Sequence, residues 1–140
     1  MKENIGKKGF HLKRGVFNIL YCRRVESKKS ADTGIGLLGN CCRIAASLNL
    51  PHGLAGIIIA RIVQIGSNVT IYQHVTIAES DINKYTVIED DVMIGAGAVI
   101  LKNAHIGKGA KIGANAVVIC DFPAYSTAVG VPASIIYNEG

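Results

Sequence analysis

Histidine is the side chain best suited to take or give a proton near neutral pH, and this chain of 140 residues has four: His11, His52, His74 and His105. His11 stands in a strongly basic leader and reads as a surface residue. His52 lies in "LPHGLAGIII", His74 in "IYQHVTIA", and His105 ends the stretch "ILKNAH". No two of them are closer than 22 positions, so no short-range imidazole pair offers itself to a metal, and no metal is expected. The cysteines Cys22, Cys41, Cys42 and Cys120 include an adjacent pair and no C-x-x-C. That spacing suggests neither a disulfide framework nor a zinc site, and they read as small buried hydrophobes with reduced thiols.

The elements that must position these histidines are legible in "IGKGAKIGANAVVI", residues 106–119, where Ile106, Ile112 and Val118 recur every sixth position. A helix asks for a period near 3.6 and an ordinary strand for 2. Reading back in sixes gives Ile100, Ile94, Ile88 and Ile82, then, after a step of five, Ile77, Ile71, Ile65 and Ile59. Four places after these come Val63, Val69, Val75, Thr86, Val92, Ala98, Ala104, Ala110, Ala116 and Phe122. Six-residue units of this kind build a parallel β-helix in which three units make one triangular coil. The aliphatic column points inward, and each fully buried aliphatic contributes roughly 1.5 to 3 kcal/mol.

Around the repeats the grammar changes. "GVFNILYCRRVES" and "GLLGNCCRIAASLNL" have apolar residues near helical spacing and predict two short helices that cap the open end of the coil. The polar break "AESDINKYT" reads as a loop standing off one corner, and "DFPAYSTAVGVPASII" ends the coil through two Pro-containing turns. The expected organisation is a basic helical N-terminal segment over 1–48, a β-helix over 49–123 with a loop near 78–86, and a closing segment over 124–140. Charge divides the same way: residues 1–43 hold ten Lys/Arg against three Asp/Glu, and the remainder five against seven. A basic arm of this kind could meet nucleic acid, an anionic membrane surface or a phosphorylated ligand. Aromatic interleaving and recognised nucleic-acid motifs are missing, so no nucleic-acid partner is expected, while contact with a membrane surface stays open. With no long apolar run and no apolar N-terminal leader core, a cytoplasmic setting is expected.

The repeats "IGSNVTIYQHVTIA" and "VIEDDVMIGAGAVILKNAHIGKGAKIGANAVVI", followed by "AVGVPASII", resemble the hexapeptide-repeat acyltransferases, in the branch of serine acetyltransferase and the sugar O-acetyltransferases of capsule and lipopolysaccharide clusters. The resemblance implies a left-handed β-helix, a homotrimer and acetyl-CoA as cosubstrate. Acetyl transfer to a hydroxyl needs a base for the hydroxyl proton and donors aimed at the oxyanion. His52 matches the family's catalytic histidine and is the expected base, with His74 a candidate for the acceptor pocket. Ala96 and Ala114, eighteen apart, match main-chain contacts to the pantetheine arm. Gly130, Val131, Pro132 and Ala133 match the adenine end, and Lys108 or Lys111 could meet phosphates. His105 is expected to be structural; if the loop skips no face, it shares a column with His52, Thr70 and Val87.

Two departures from serine acetyltransferase bear on the acceptor. Pro51 precedes His52 where that enzyme has Asp, and the polar loop carries no second histidine. A neutral sugar hydroxyl of a surface polysaccharide is therefore the first expectation for the acceptor, with serine as the alternative. A β-helix that serves only as a rigid assembly subunit is a further alternative, and predicts no coenzyme A affinity. A metal enzyme on this scaffold would need three convergent imidazoles, which the wide histidine spacing disfavours.

Overall fold

The computed structural model describes residues 37–38, 42–45, 47–81 and 83–136. Short strands follow one another around three faces. The first face holds β1 (Leu37–Leu38), β3 (Ile58–Ile59), β6 (Thr76–Ile77), β9 (Val99–Ile100) and β12 (Val117–Val118). The second holds β2 (Arg43–Ile44), β4 (Val63–Ile65), β7 (Thr86–Ile88) and β10 (His105–Ile106). The third holds β5 (Thr70–Ile71), β8 (Met93–Ile94), β11 (Lys111–Ile112), β13 (Thr127–Val129) and β14 (Ser134–Ile136). All pairings are parallel except β13 with β14, which folds back antiparallel to finish the third face. The molecule is a parallel β-helix.

Each strand turns one aliphatic inward because neighbouring residues of a strand face opposite ways. Ile71, Ile94 and Ile112 stack on the third face, Ile65, Ile88 and Ile106 on the second, and Ile59, Ile77 and Ile100 on the first. All of these are essentially inaccessible to water, as are the small or β-branched residues four places on, Val63 through Ala116. Phe122 departs from its expected place: it bridges Ile106 across a shortened corner and so joins the inward stack itself.

Two further expectations are corrected. No helix forms over 37–48 among the described residues: Leu37–Leu38 and Arg43–Ile44 are strands, and Ile44 is buried against the core and registered on Ile65. Leu38, Ile44 and Leu50 are themselves six apart, and for Ile44 burial in the ladder outweighs helical spacing. The coil is thus already winding at Leu37. The first expected helix lies outside the described residues. The step of five before Ile82 is also replaced. Ile77 stacks on Ile100, and Ile65 pairs with Ile88 twenty-three residues on, so the break adds five residues to one coil instead of removing one. Ile82 lies outside the described residues. Of the cysteines, Cys42 is buried as expected, whereas Cys120 is exposed.

The extra residues are tied down at their base. Buried Ser80 and Thr86 share a hydrogen bond, and both accept from Asn103 N–H. Asp81 accepts from Asn103 Nδ2 at 2.6 Å and from Lys102 Nζ at 3.2 Å. The Asn103 hydrogen bond first, and Lys102 second, hold the Asp81 carboxyl below the ordinary aspartate range. A lowered carboxyl keeps its clamp above the ordinary range and loses it as pH falls through the depressed value. In an NMR titration the Asn103 side-chain amide is therefore expected to move only on the acid side of that range, and to stop titrating with Asp81→Asn.

Candidate active site

The corner that leads from the third face to the first is built from residues 50–57, 72–75, 95–98, 113–116 and 130–133. His74 N–H donates to Ala55 O at 2.9 Å, Gly97 N–H to Gln73 O at 3.0 Å and Asn115 N–H to Ala96 O at 2.9 Å. These bonds set Ala55, Gln73, Ala96 and Ala114 one above another. Val117 N–H donates to Gly130 O at 3.0 Å and Ala133 N–H to Val117 O at 2.8 Å, so Gly130 to Ala133 close the same edge. Val131 is 71% exposed, and Ala133 is buried.

Sequence explains the shape. The residue after each stacked one takes a left-handed turn: Gly56 (φ 62), His74 (φ 58), Gly97 (φ 72) and Asn115 (φ 57), all types that tolerate it. Gly95 permits the close stacking, since a Cβ there would lie 2.6 Å from Ala114 N.

His52 belongs to this corner. Asn49 bridges Thr70, while Ala55 stacks beneath Gln73, so the chain between them carries three residues more than the coil above. This bulge stands His52 off the ladder, exposed, with its ring 6.1 Å from that of Tyr72 at an interplanar angle of 43°. His74, also exposed, lays its ring over Gly56. The fold therefore gathers His52, His74, Ala96, Ala114 and residues 130–133 along one edge. Lys111 lies apart from the edge, outward on the third face between Met93 and Thr127. Lys108 is on another corner, 3.7 Å from Asp91.

His105 is elsewhere. The longer coil moves its column, which runs through Arg43, Gln64 and Val87 of the second face and not through His52 and Thr70. There it pairs with Glu89 at 2.7 Å, and its N–H donates to Asp121 Oδ1 at 2.8 Å.

Absence of charge distinguishes the His52 corner. Its segments contain no Asp, Glu, Lys or Arg. Its backbone also offers open donors. Elsewhere Ser67 N–H donates to Asp90 Oδ1 at 2.7 Å and Lys108 N–H to Glu89 Oε2 at 2.8 Å, whereas the N–H groups of Asp90, Lys102 and Ala124 meet no acceptor among the described residues. The N–H groups of Gln73, Ala96 and Ala114 find no acceptor among the described residues. Open amides beside an imidazole can hold carbonyl oxygens and stabilise an oxyanion while the imidazole moves a proton.

Sequence reasoning did not single out Tyr72 or Gln73. Gln73 carries the one buried side-chain polar atom without a hydrogen-bond partner among the described residues, Oε1. An unpaired buried acceptor is a property of packing, and only its place in the repeat could have drawn attention to it. Among the described residues no group of His, Cys, Asp and Glu could hold a metal ion, and no helix is long and apolar enough to cross a membrane.

Residues 85–120 match the family model described as bacterial transferase hexapeptide (six repeats). The serine acetyltransferase of Bacillus licheniformis is 39% identical over 101 residues, 70% of this chain and 46% of that protein. The Neisseria gonorrhoeae serine acetyltransferase, solved in complex with serine, superposes with a TM-score of 0.63 at 40% identity over 67% of this chain and 39% of that one. A serine acetyltransferase solved in complex with CoA gives 0.61 at 40% identity, covering 69% and 40%. This β-helix is the left-handed kind of those neighbours. The chain spans less than half the length of the relatives it matches.

Proposed function

We infer that this hexapeptide-repeat chain is an acetyl-CoA-dependent O-acetyltransferase. The observation that carries the inference is the uncharged corner where stacked, open amides end at His52. His52 takes the proton of the acceptor hydroxyl as its oxygen attacks the thioester carbonyl. An open amide of the edge meets the oxyanion, the C–S bond breaks, and the His52 imidazolium returns the proton to the departing thiolate. Both substrates are bound together and no acyl-enzyme forms. The pantetheine arm lies along Ala96 and Ala114 and the adenine end against Gly130 to Ala133. Lys111 is one residue from the inward Ile112 and serves the phosphates from the adjoining face.

For the acceptor, similarity to serine acetyltransferases, one of them solved with serine, favours serine. A neutral sugar hydroxyl is the second reading, supported by the absence of Asp, Glu, Lys and Arg from the corner's own segments, any of which could pair with an amino acid's ammonium or carboxylate. His74 borders the acceptor in either case. Coupled thiol release from acetyl-CoA over a panel of serine, nucleotide sugars and oligosaccharides tests the proposal. Release that depends on one acceptor supports it and names the acceptor. Failure of every acceptor together with no coenzyme A binding overturns it in favour of an assembly subunit.

The first face supports a trimer. Ile58, Leu101 and Ile119 are exposed there beside outward Val99 and Val117, an apolar patch suited to burial against another copy. A cytoplasmic enzyme drawing on soluble acetyl-CoA fits this reading. Ala114→Trp fills the proposed pantetheine edge with an exposed side chain. It is expected to weaken coenzyme A binding at least tenfold by calorimetry, with the thermal midpoint unchanged.

A further inference from the structure

We propose that Gln73 positions His52, presenting its Oε1 to the imidazole Nδ1–H so that Nε2 stays unprotonated and faces the acceptor. The proposal rests on His52 being the base. A base needs a third group to fix its tautomer and ring orientation, and His52 has no hydrogen-bond or ion-pair partner among the described residues; its ring lies 6.1 Å from that of Tyr72. The groups facing it on this corner are Tyr72 and, further round, His74, and no carboxylate lies in the corner segments.

Gln73 has the complementary deficiency. Its Oε1 is buried and unpaired, and a carboxamide oxygen can only accept. Its backbone is pinned above by Gly97 N–H at 3.0 Å and stands over Ala55, three residues on from His52 at the end of the same bulge. His74 is the less suitable donor, because its ring is committed to the surface of Gly56. A neutral acceptor is also the apt partner in an uncharged corner: it fixes the tautomer without adding a buried charge.

The test uses the full chain and three proteins: wild type, Gln73→Leu and Gln73→Glu. The expected results are an Nδ1-protonated His52 in the wild type by 15N NMR of the imidazoles, and loss of that preference with Gln73→Leu. Turnover falls with Gln73→Leu by on the order of tenfold to 10²-fold while the KM for acetyl-CoA stays put. The thermal midpoint of that variant does not fall, since an unsatisfied buried acceptor has been removed. Gln73→Glu retains more turnover than Gln73→Leu and moves the acid limb of the kcat/KM profile to higher pH, because a carboxylate favours the imidazolium. An identical His52 tautomer and acid limb in all three proteins overturns the proposal, as does a tautomer change confined to His74. If no acceptor supports turnover, the proposed reaction fails, and the NMR comparison still decides whether Gln73 holds His52.

Discussion

The His52→Ala protein is expected to turn over about 10² to 10⁴ times more slowly than the wild type, the usual contribution of a positioned general base, with coenzyme A affinity nearly unchanged. The separation follows from geometry. His52 stands on the bulge at the foot of the corner, while Ala96, Ala114 and Gly130 to Ala133 lie along the coils above, held by main-chain bonds that the substitution does not touch. Single-turnover thiol release beside a coenzyme A titration reads the two quantities independently. Full activity in the mutant removes His52 from the mechanism. Equal loss of turnover and of binding makes the bulge a structural support.

The largest stability effect is expected at Ile94. Its side chain is fully buried in the stack between Ile71 and Ile112, and truncation to alanine leaves a cavity that two coils share. The cost is about 2 to 5 kcal/mol, measurable as a lowered urea midpoint. Met93, its neighbour in the same strand, points outward and is 38% exposed. Met93→Ala should therefore cost far less, and equal losses at the two positions would contradict the inward and outward assignment.

How far the sequence disclosed all this depends on the range of the interaction concerned. The ladder from Ile88 to Val118 was readable because each residue obeys a local rule, an aliphatic every sixth place, and every coil repeats it. Leu38 and Ile44 obey the same rule, but Leu37, Leu38, Cys41, Ile44 and Leu48 also satisfy a helical spacing. Only stacking on Ile59 and Ile65 decides between the two. The five added residues at the polar loop read as a shortened step because Ile82 sits six before Ile88, and on that reading His105, if no face is skipped, falls in the column of His52 instead of that of Arg43 and Gln64. For the candidate site, the family resemblance pointed to His52 and to the Ala96/Ala114 pair, and the fold brings these residues to one edge. The open amides and the unpaired Gln73 oxygen were not legible, since both depend on how the turns pack in three dimensions.

The coils of this molecule differ in length while their ladders do not. Twenty-one residues separate Ile44 from Ile65, twenty-three separate Ile71 from Ile94, and eighteen separate Ile94 from Ile112, yet every pair is in register. The surplus is confined to two corners, the histidine bulge and the polar loop. Such a scaffold decouples innovation from folding: insertions at a corner can be lengthened, exchanged or recomposed over evolutionary time without rewriting the strands above or below. Changes of surface chemistry can therefore arise by editing a handful of corner residues, while the stacked isoleucines that hold the fold are left in place.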